Sequence, residues 1–321
     1  MSEFTSCLSP LIESFIAYRK ASENWNEVSY KVMLLLFDRY CAKFYPAAND
    51  LLQEMVDGWC KQRDTENNNS CRSRIYVVDR MIRYLRSRGK TNVNPPILPR
   101  KERRTYIPHA FTEVELTNFF NACDSLPYAA SRQERSRKII VPVFFRLLYS
   151  SGIRTNEARM LRAADVDLHH GILDIQYSKG HDQHYVALHD SMLALLRQYD
   201  DAIKKIYPDR VYFFPAVNGK YHRAQWVQSN FRQLWDGIND THAVPYEFRH
   251  HYAVSNINSW VDEGFGFDAK LLYLSKSMGH RGVESTKYYY SLVPGLADIL
   301  EEKTNTDFEN IVPEAYYEES K

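Results

Sequence analysis

The chain has 321 residues, of which 44% are hydrophobic and 25% charged, the balance of a globular protein long enough for two separately cored domains. No run of 18 apolar residues and no basic-then-apolar leader occurs, so neither a membrane span nor a secretory signal is indicated, and a reducing cytoplasm is the expected compartment. Five cysteines (Cys7, Cys41, Cys60, Cys71, Cys123), odd in number and scattered, fit neither a disulfide framework nor a zinc cluster. The net charge of +1 conceals an asymmetry: residues 1–112 hold 18 lysines and arginines against 12 acids, and residues 293–321 hold 2 against 8. A basic front half suits a polyanion, while an acidic tail suits a protein partner or plain solvation.

In chain order, residues 8–90 read as successive amphipathic helices, with Leu11, Ile12, Phe15 and Ile16 and then Val32, Leu35, Leu36, Phe37 and Tyr40 at helical spacing. From Arg72 to Lys90 the apolar positions Ile75, Val78, Ile82 and Leu85 define one buried face. Arg72, Arg74, Arg80, Arg83, Arg86 and Arg88 give the rest of that helix a positive surface, either merely solvated or facing nucleic-acid phosphates. Prolines 95, 96 and 99 then deny helix and leave Arg100, Lys101, Arg103 and Arg104 as an exposed basic linker. Thr112 and Glu115 have capping-box spacing and predict a new helix and a second domain. Helical patterning over 139–161 gives way to alternation at Leu173, Ile175, Tyr177, Val186 and Leu188, a small antiparallel hairpin whose polar turn holds Lys179. Helices are expected again around 191–206, 224–237, 247–261, 268–278 and 283–290. The expected fold class is mainly α with one small antiparallel sheet.

Three segments carry chemistry. They are Gly152-Ile153-Arg154-Thr155-Asn156-Glu157, then Tyr246-Glu247-Phe248-Arg249-His250, and last Gly279-His280 with Thr286 and the tyrosines 288 to 290. In-line attack on a phosphodiester spreads negative charge over the non-bridging oxygens, and guanidinium groups answer that with bidentate hydrogen bonds and permanent charge. A phenol can serve as the nucleophile, but successive helical residues turn by about 100°, so the three tyrosines cannot all face one phosphate. No Gly-rich phosphate loop with its lysine and no acidic cluster at metal-ligand spacing accompanies these residues.

This ordered set resembles the tyrosine recombinases, or phage-type integrases, in which one arginine follows a Gly-hydrophobic-Arg-x-x-Glu pattern and a second closes a His-x-x-Arg-His pattern. The resemblance implies that Arg154 and Arg249 clamp the scissile phosphate, that Lys179 protonates the leaving 5′ oxygen, and that His280 donates to a non-bridging oxygen. The family's spacing, nine residues after the Gly-His histidine with a Thr-x-x-Tyr lead-in, implies that Tyr289 is the nucleophile, and the resemblance makes Glu157 and His250 structural support. The first histidine of the second pattern is Tyr246 here, a phenol with ordinary pKa ~10 and a poor base at neutral pH, so the base is open between Tyr246, His250 and His251. Arg72, Arg74, Arg80, Arg83, Arg100, Lys101, Arg103 and Arg104 are the expected DNA contacts.

By the same resemblance residues 1–95 form a helical core-binding domain, 96–111 a linker, 112–292 the catalytic domain and 293–321 a tail that docks on a neighbouring protomer. A 3′-phosphotyrosyl intermediate conserves the energy of the phosphodiester bond, so no metal, ATP or other cofactor is expected. The implied partners are double-stranded DNA sites and further copies of the chain, four protomers as two dimers, with no membrane association and with the nucleoid as the place of action. The implied role is integration or excision of a mobile element. The alternatives are a type IB topoisomerase-like nicking and closing enzyme and a DNA-binding regulator that keeps the fold without activity.

Overall fold

The computed structural model describes all residues except 1–2, 23–24, 26, 103–107, 128–130, 177–182, 261–266, 281, 284, 287–288 and 290–321. The chain forms two compact units, Met1–Tyr106 and Ile107–Lys321.

In the first unit, α1 (Ser9–Ala21), α2 (Val32–Phe44, entered through a π turn at Glu27–Lys31) and α3 (Gln53–Cys60) pack around α4 (Asn68–Ser87). The Asn67 side chain accepts from the Ser70 amide and so starts α4. Ile75, Val78, Ile82 and Leu85 are buried as their spacing predicts, but Val77, Met81 and Tyr84 are buried too, because a central helix meets neighbours on more than one side. After α4 residues 91–102 hold neither helix nor strand. It returns along the same helix: Arg72 Nη1 donates to the Pro99 carbonyl at 2.8 Å, and Asn69 exchanges bonds with the Glu102 backbone.

The second unit opens with α5 (Glu113–Asp124), whose start is the Thr112–Glu115 capping box. The long helix α6 (Arg132–Ser151) runs through its core and packs on α5, α8 (Asp190–Lys204) and α10 (Glu247–Asn258). Phe119, Phe145, Phe231, Trp235 and Phe248 fill the space between them with rings 5.0 to 5.8 Å apart. The sheet has three antiparallel strands in order β1 (Val166–Asp167), β2 (Ile172–Ile175) and β3 (His184–Ala187), with Leu173 opposite Val186 and Ile175 opposite His184. The sequence predicts two of these strands; β1 has two residues, too few for alternation to register. The second unit also holds α7 (Thr155–Met160), α9 (Ala224–Trp235) and α11 (Phe267–Ser277).

The helix expected over 139–161 is two helices, α6 and α7. Gly152 ends α6 in the left-handed region at φ +62°, and a Cβ there would lie 2.2 Å from the Tyr252 ring, so only glycine permits both the reversal and the close approach.

Candidate active site

The Gly152 break sets the position of Arg154, which is the N-cap of α7. Glu157, in the first turn of that helix and 3% exposed, accepts from the Arg154 amide at 2.8 Å and from Arg154 Nη1 at 2.5 Å. Arg154 Nη2 then reaches across to the Gly279 carbonyl at 3.0 Å. From α10, Arg249 is almost fully buried; its Nη1 donates to the Gly152 carbonyl at 2.7 Å and its Nη2 to the Met278 carbonyl at 2.6 Å. Two guanidinium groups from helices far apart in sequence thus end on consecutive carbonyls, Met278 and Gly279. Arg249 Nε is buried with no hydrogen-bond partner among the described residues.

His280 follows that carbonyl pair. Its Nε2 lies 2.8 Å from Arg249 Nη2, which can only donate, so Nε2 is the acceptor and Nδ1 carries the proton, 2.7 Å from the Thr286 hydroxyl. Burial, reinforced by Arg249, Arg154 and His184, depresses the His280 pKa to about 4, so the ring is neutral. In this arrangement Nε2 faces Arg249 and the Nδ1 proton faces Thr286, so His280 orients Arg249.

Tyr289 is 3% exposed, with its ring 5.3 Å from that of His250 and 6.1 Å from that of His280, nearly parallel to the latter. Burial raises its pKa, and the opposing pull of Arg249 and Arg154 is smaller; desolvation therefore outweighs the positive field in this arrangement. Tyr246, immediately before α10, is 42% exposed and its ring stands 5.2 Å from that of His250. One residue further, His251 turns to the other side of α10, where its ring stacks on Tyr149 at 5.3 Å and lies near Phe111. Of the two histidines considered as a base, only His250 is beside Tyr289. Lys179, Tyr288 and Tyr290 lie outside the described residues.

Sequence reasoning overlooked His184. It sits on the inward face of β3, 8% exposed, with its ring against Gly279. The signal was present, since strict alternation backwards from Val186 puts residue 184 on the buried face, but a histidine beside a polar turn reads as surface.

The first unit carries the expected DNA contacts, and one needs correction. Arg74 is 4% exposed and faces inward: its Nη2 pairs with Glu66 at 2.7 Å, its Nη1 donates to the Trp59 carbonyl and its Nη2 to the Lys61 carbonyl. The bond from Arg74 holds the Glu66 carboxyl down at about 2 despite burial. Arg74 is therefore the tie between the loop after α3 and α4, a position that helical charge counting cannot separate from a surface one. Arg80 and Arg83 are exposed; with Arg19 and Arg88 they line a cleft of about 270 Å³ floored by Phe15, Tyr18 and Tyr84. Arg72 is half-buried, Arg100 and Lys101 are exposed, and Arg103 and Arg104 lie outside the described residues.

Among known proteins, a sequence model of the Phage integrase family matches residues 110–294. A protein of Sinorhizobium fredii that carries the name integrase/recombinase y4rE is 28% identical over 60% of this chain, a match spanning 62% of that relative's length. The tyrosine recombinase XerD of Rickettsia bellii is 24% identical over 89% of this chain and 93% of its own. A crystal structure of the XerH site-specific recombinase bound to difH substrate has the same fold, with a TM-score of 0.59, 17% identity and coverage of 82% of this chain and 76% of that one.

Proposed function

Because the chain belongs to the phage integrase family and is, with its tyrosine recombinase relatives, a DNA strand-exchange enzyme, we propose that it cleaves and rejoins DNA through a 3′-phosphotyrosyl intermediate on Tyr289. The observation that carries this reading is the convergence of Arg154 and Arg249 on the Met278 and Gly279 carbonyls beside Tyr289. A scissile phosphate entering there meets the unused Arg249 Nε–H and the outer edge of Arg154, and both cations oppose the charge that grows on the non-bridging oxygens. Glu157 fixes the Arg154 fork, and His280 fixes Arg249.

Tyr289 attacks phosphorus as its phenol proton passes to a base, for which His250, with its ring 5.3 Å from that of Tyr289, is the neighbouring candidate, while Lys179 gives a proton to the departing 5′ oxygen; ligation runs the same steps in reverse. Tyr246 hydrogen-bonds the phosphate or the nucleophile in this reading. Arg72, Arg80, Arg83, Arg100, Lys101, Arg103 and Arg104 hold the duplex backbone from the core-binding unit and the linker. The chain acts as a tetramer of two dimers on two DNA sites, in integration or excision of a mobile element, with residues 293–321 docking on the next protomer.

A duplex nicked beside the cleavage position tests this reading, because loss of the short fragment traps the adduct. The chain is expected to form a covalent protein–DNA species resistant to denaturation, and Tyr289→Phe to bind the same duplex and form none. A chain that binds its site and never forms the adduct is a regulator with this fold and not a recombinase.

A further inference from the structure

The turn that receives both arginines is held from below by a residue to which the proposed mechanism assigns no role. Gly279 has φ +62°, and a Cβ on it would stand 2.5 Å from His184 Cε1, 2.7 Å from Nδ1 and 3.0 Å from Nε2. The imidazole ring thus lies directly against the glycine, in the space any other residue would fill. His184 starts β3, is paired with Ile175 on β2, and lies on the strand against which α11 packs. The neighbouring carbonyls are the acceptors for Arg249 and Arg154, so the ring is in contact with the segment that fixes both guanidinium groups. On the other side, β2 and β3 bracket Lys179 in sequence, with His184 five residues after it.

We infer that His184 is a positioning residue: by filling the space beneath Gly279 it fastens the hairpin to the Met278–His280 turn, so that the acid on the leaving oxygen and the arginines on the phosphate share one frame. The inference rests on the reading of Lys179 as general acid. Its chemical sense is that a concerted transfer needs the acid and the phosphate clamp in register, and a misplacement of about 1 Å costs on the order of 100-fold in rate.

Single-turnover cleavage of the nicked duplex, with an oxygen or a sulfur bridging the 5′ position of the scissile phosphate, separates the possibilities, because a thiolate leaves without a proton. His184→Ala is expected to bind its site as the unaltered chain does, to cleave the oxygen substrate ~100-fold more slowly, and to recover most of that loss with sulfur, in parallel with Lys179→Ala. His184→Phe, which keeps a flat ring under Gly279, is expected to stay within a few-fold of the unaltered rate on oxygen. Unchanged cleavage by His184→Ala, or an equal defect on both substrates while Lys179→Ala is rescued, overturns the inference. An unrescued Lys179→Ala overturns the acid reading, and His184 is then judged through Gly279→Ala. Its defect is expected to shrink when His184→Ala removes the ring it collides with, whereas independent effects of the two changes overturn the fastening.

Discussion

At the scale of single residues, the site depends on guanidinium forks that are already closed on the protein. Arg249 uses two nitrogens on two carbonyls and keeps a third, and Arg154 uses one on Glu157 and one on Gly279. A lysine has one nitrogen and cannot bridge these acceptors. Arg154→Ala and Arg249→Ala are expected to lower single-turnover cleavage on the order of 100- to 1000-fold, and Arg249→Lys to behave like Arg249→Ala. Cleavage within ten-fold of the unaltered rate by Arg249→Lys would mean that charge alone, not the fork, is what the phosphate needs. The arginines of α4 divide on similar grounds. Arg74→Ala leaves Glu66, 11% exposed, without its cation and the Trp59 and Lys61 carbonyls without their donor, and is expected to cost about 3–5 kcal/mol in chemical denaturation; Arg83→Ala also carries a stability cost, because the arginine lies in solvent but its partner Asp79 is only 3% exposed. Arg80→Ala and Arg83→Ala are expected to flatten the dependence of log affinity on log salt by ~0.9 each; an unchanged slope assigns those arginines to solvent.

At the scale of elements, the decisive one is the break between α6 and α7. A continuous helix through residue 152 would move Arg154 around and away from the Met278–Gly279 turn, and the left-handed glycine prevents it. Gly152→Ala is expected to destabilise the second unit by more than the roughly 1–2 kcal/mol of the left-handed backbone alone, since its methyl also collides with Tyr252. Tyr252→Ala should return the collision part of that loss and leave the backbone part, as measured by denaturant unfolding of the single and double variants. Full recovery in the double variant would show that the backbone conformation is not strained.

For the whole molecule, buried ionisable groups set how the fold responds to acid. Burial depresses His222, and burial with Arg249, Arg154 and His184 depresses His280, both to about 4 from an ordinary 6.5. Between those values the unfolded chain binds protons that the folded chain refuses, so stability falls as pH drops from 6.5 to 4. The Arg74 bond brings Glu66 to about 2; for Glu115 burial acts upward and is outweighed by bonds from Thr112, Thr241 and His109, again giving about 2. These carboxylates contribute stability above an ordinary 4.5 that is lost toward pH 2. Denaturation midpoints across pH 7 to 3 are expected to fall in two overlapping phases, and His222→Phe should reduce the upper one. A midpoint independent of pH between 6.5 and 4.5 would contradict the buried neutral histidines.

Sequence alone determined the mainly helical class, the start of α5 at the Thr112–Glu115 box and the positions of α8 to α11, because periodicity and caps are local properties of the chain. It also singled out Arg154, Arg249, His280 and Tyr289, because the order and spacing of these residues resemble those of the tyrosine recombinases, and such a pattern is legible in the chain itself. What it could not decide depends on residues distant in the chain. Arg74 and Arg83 look alike in the sequence of α4, and only the Glu66 carboxylate and the Trp59 and Lys61 carbonyls waiting for one of them make it a core residue. That His280 Nε2 meets Arg249, 31 positions earlier, is likewise decided only by the fold. His184 gains meaning only when the sheet brings it under Gly279, 95 residues on, because a contact that close is made by packing and leaves no mark in local pattern.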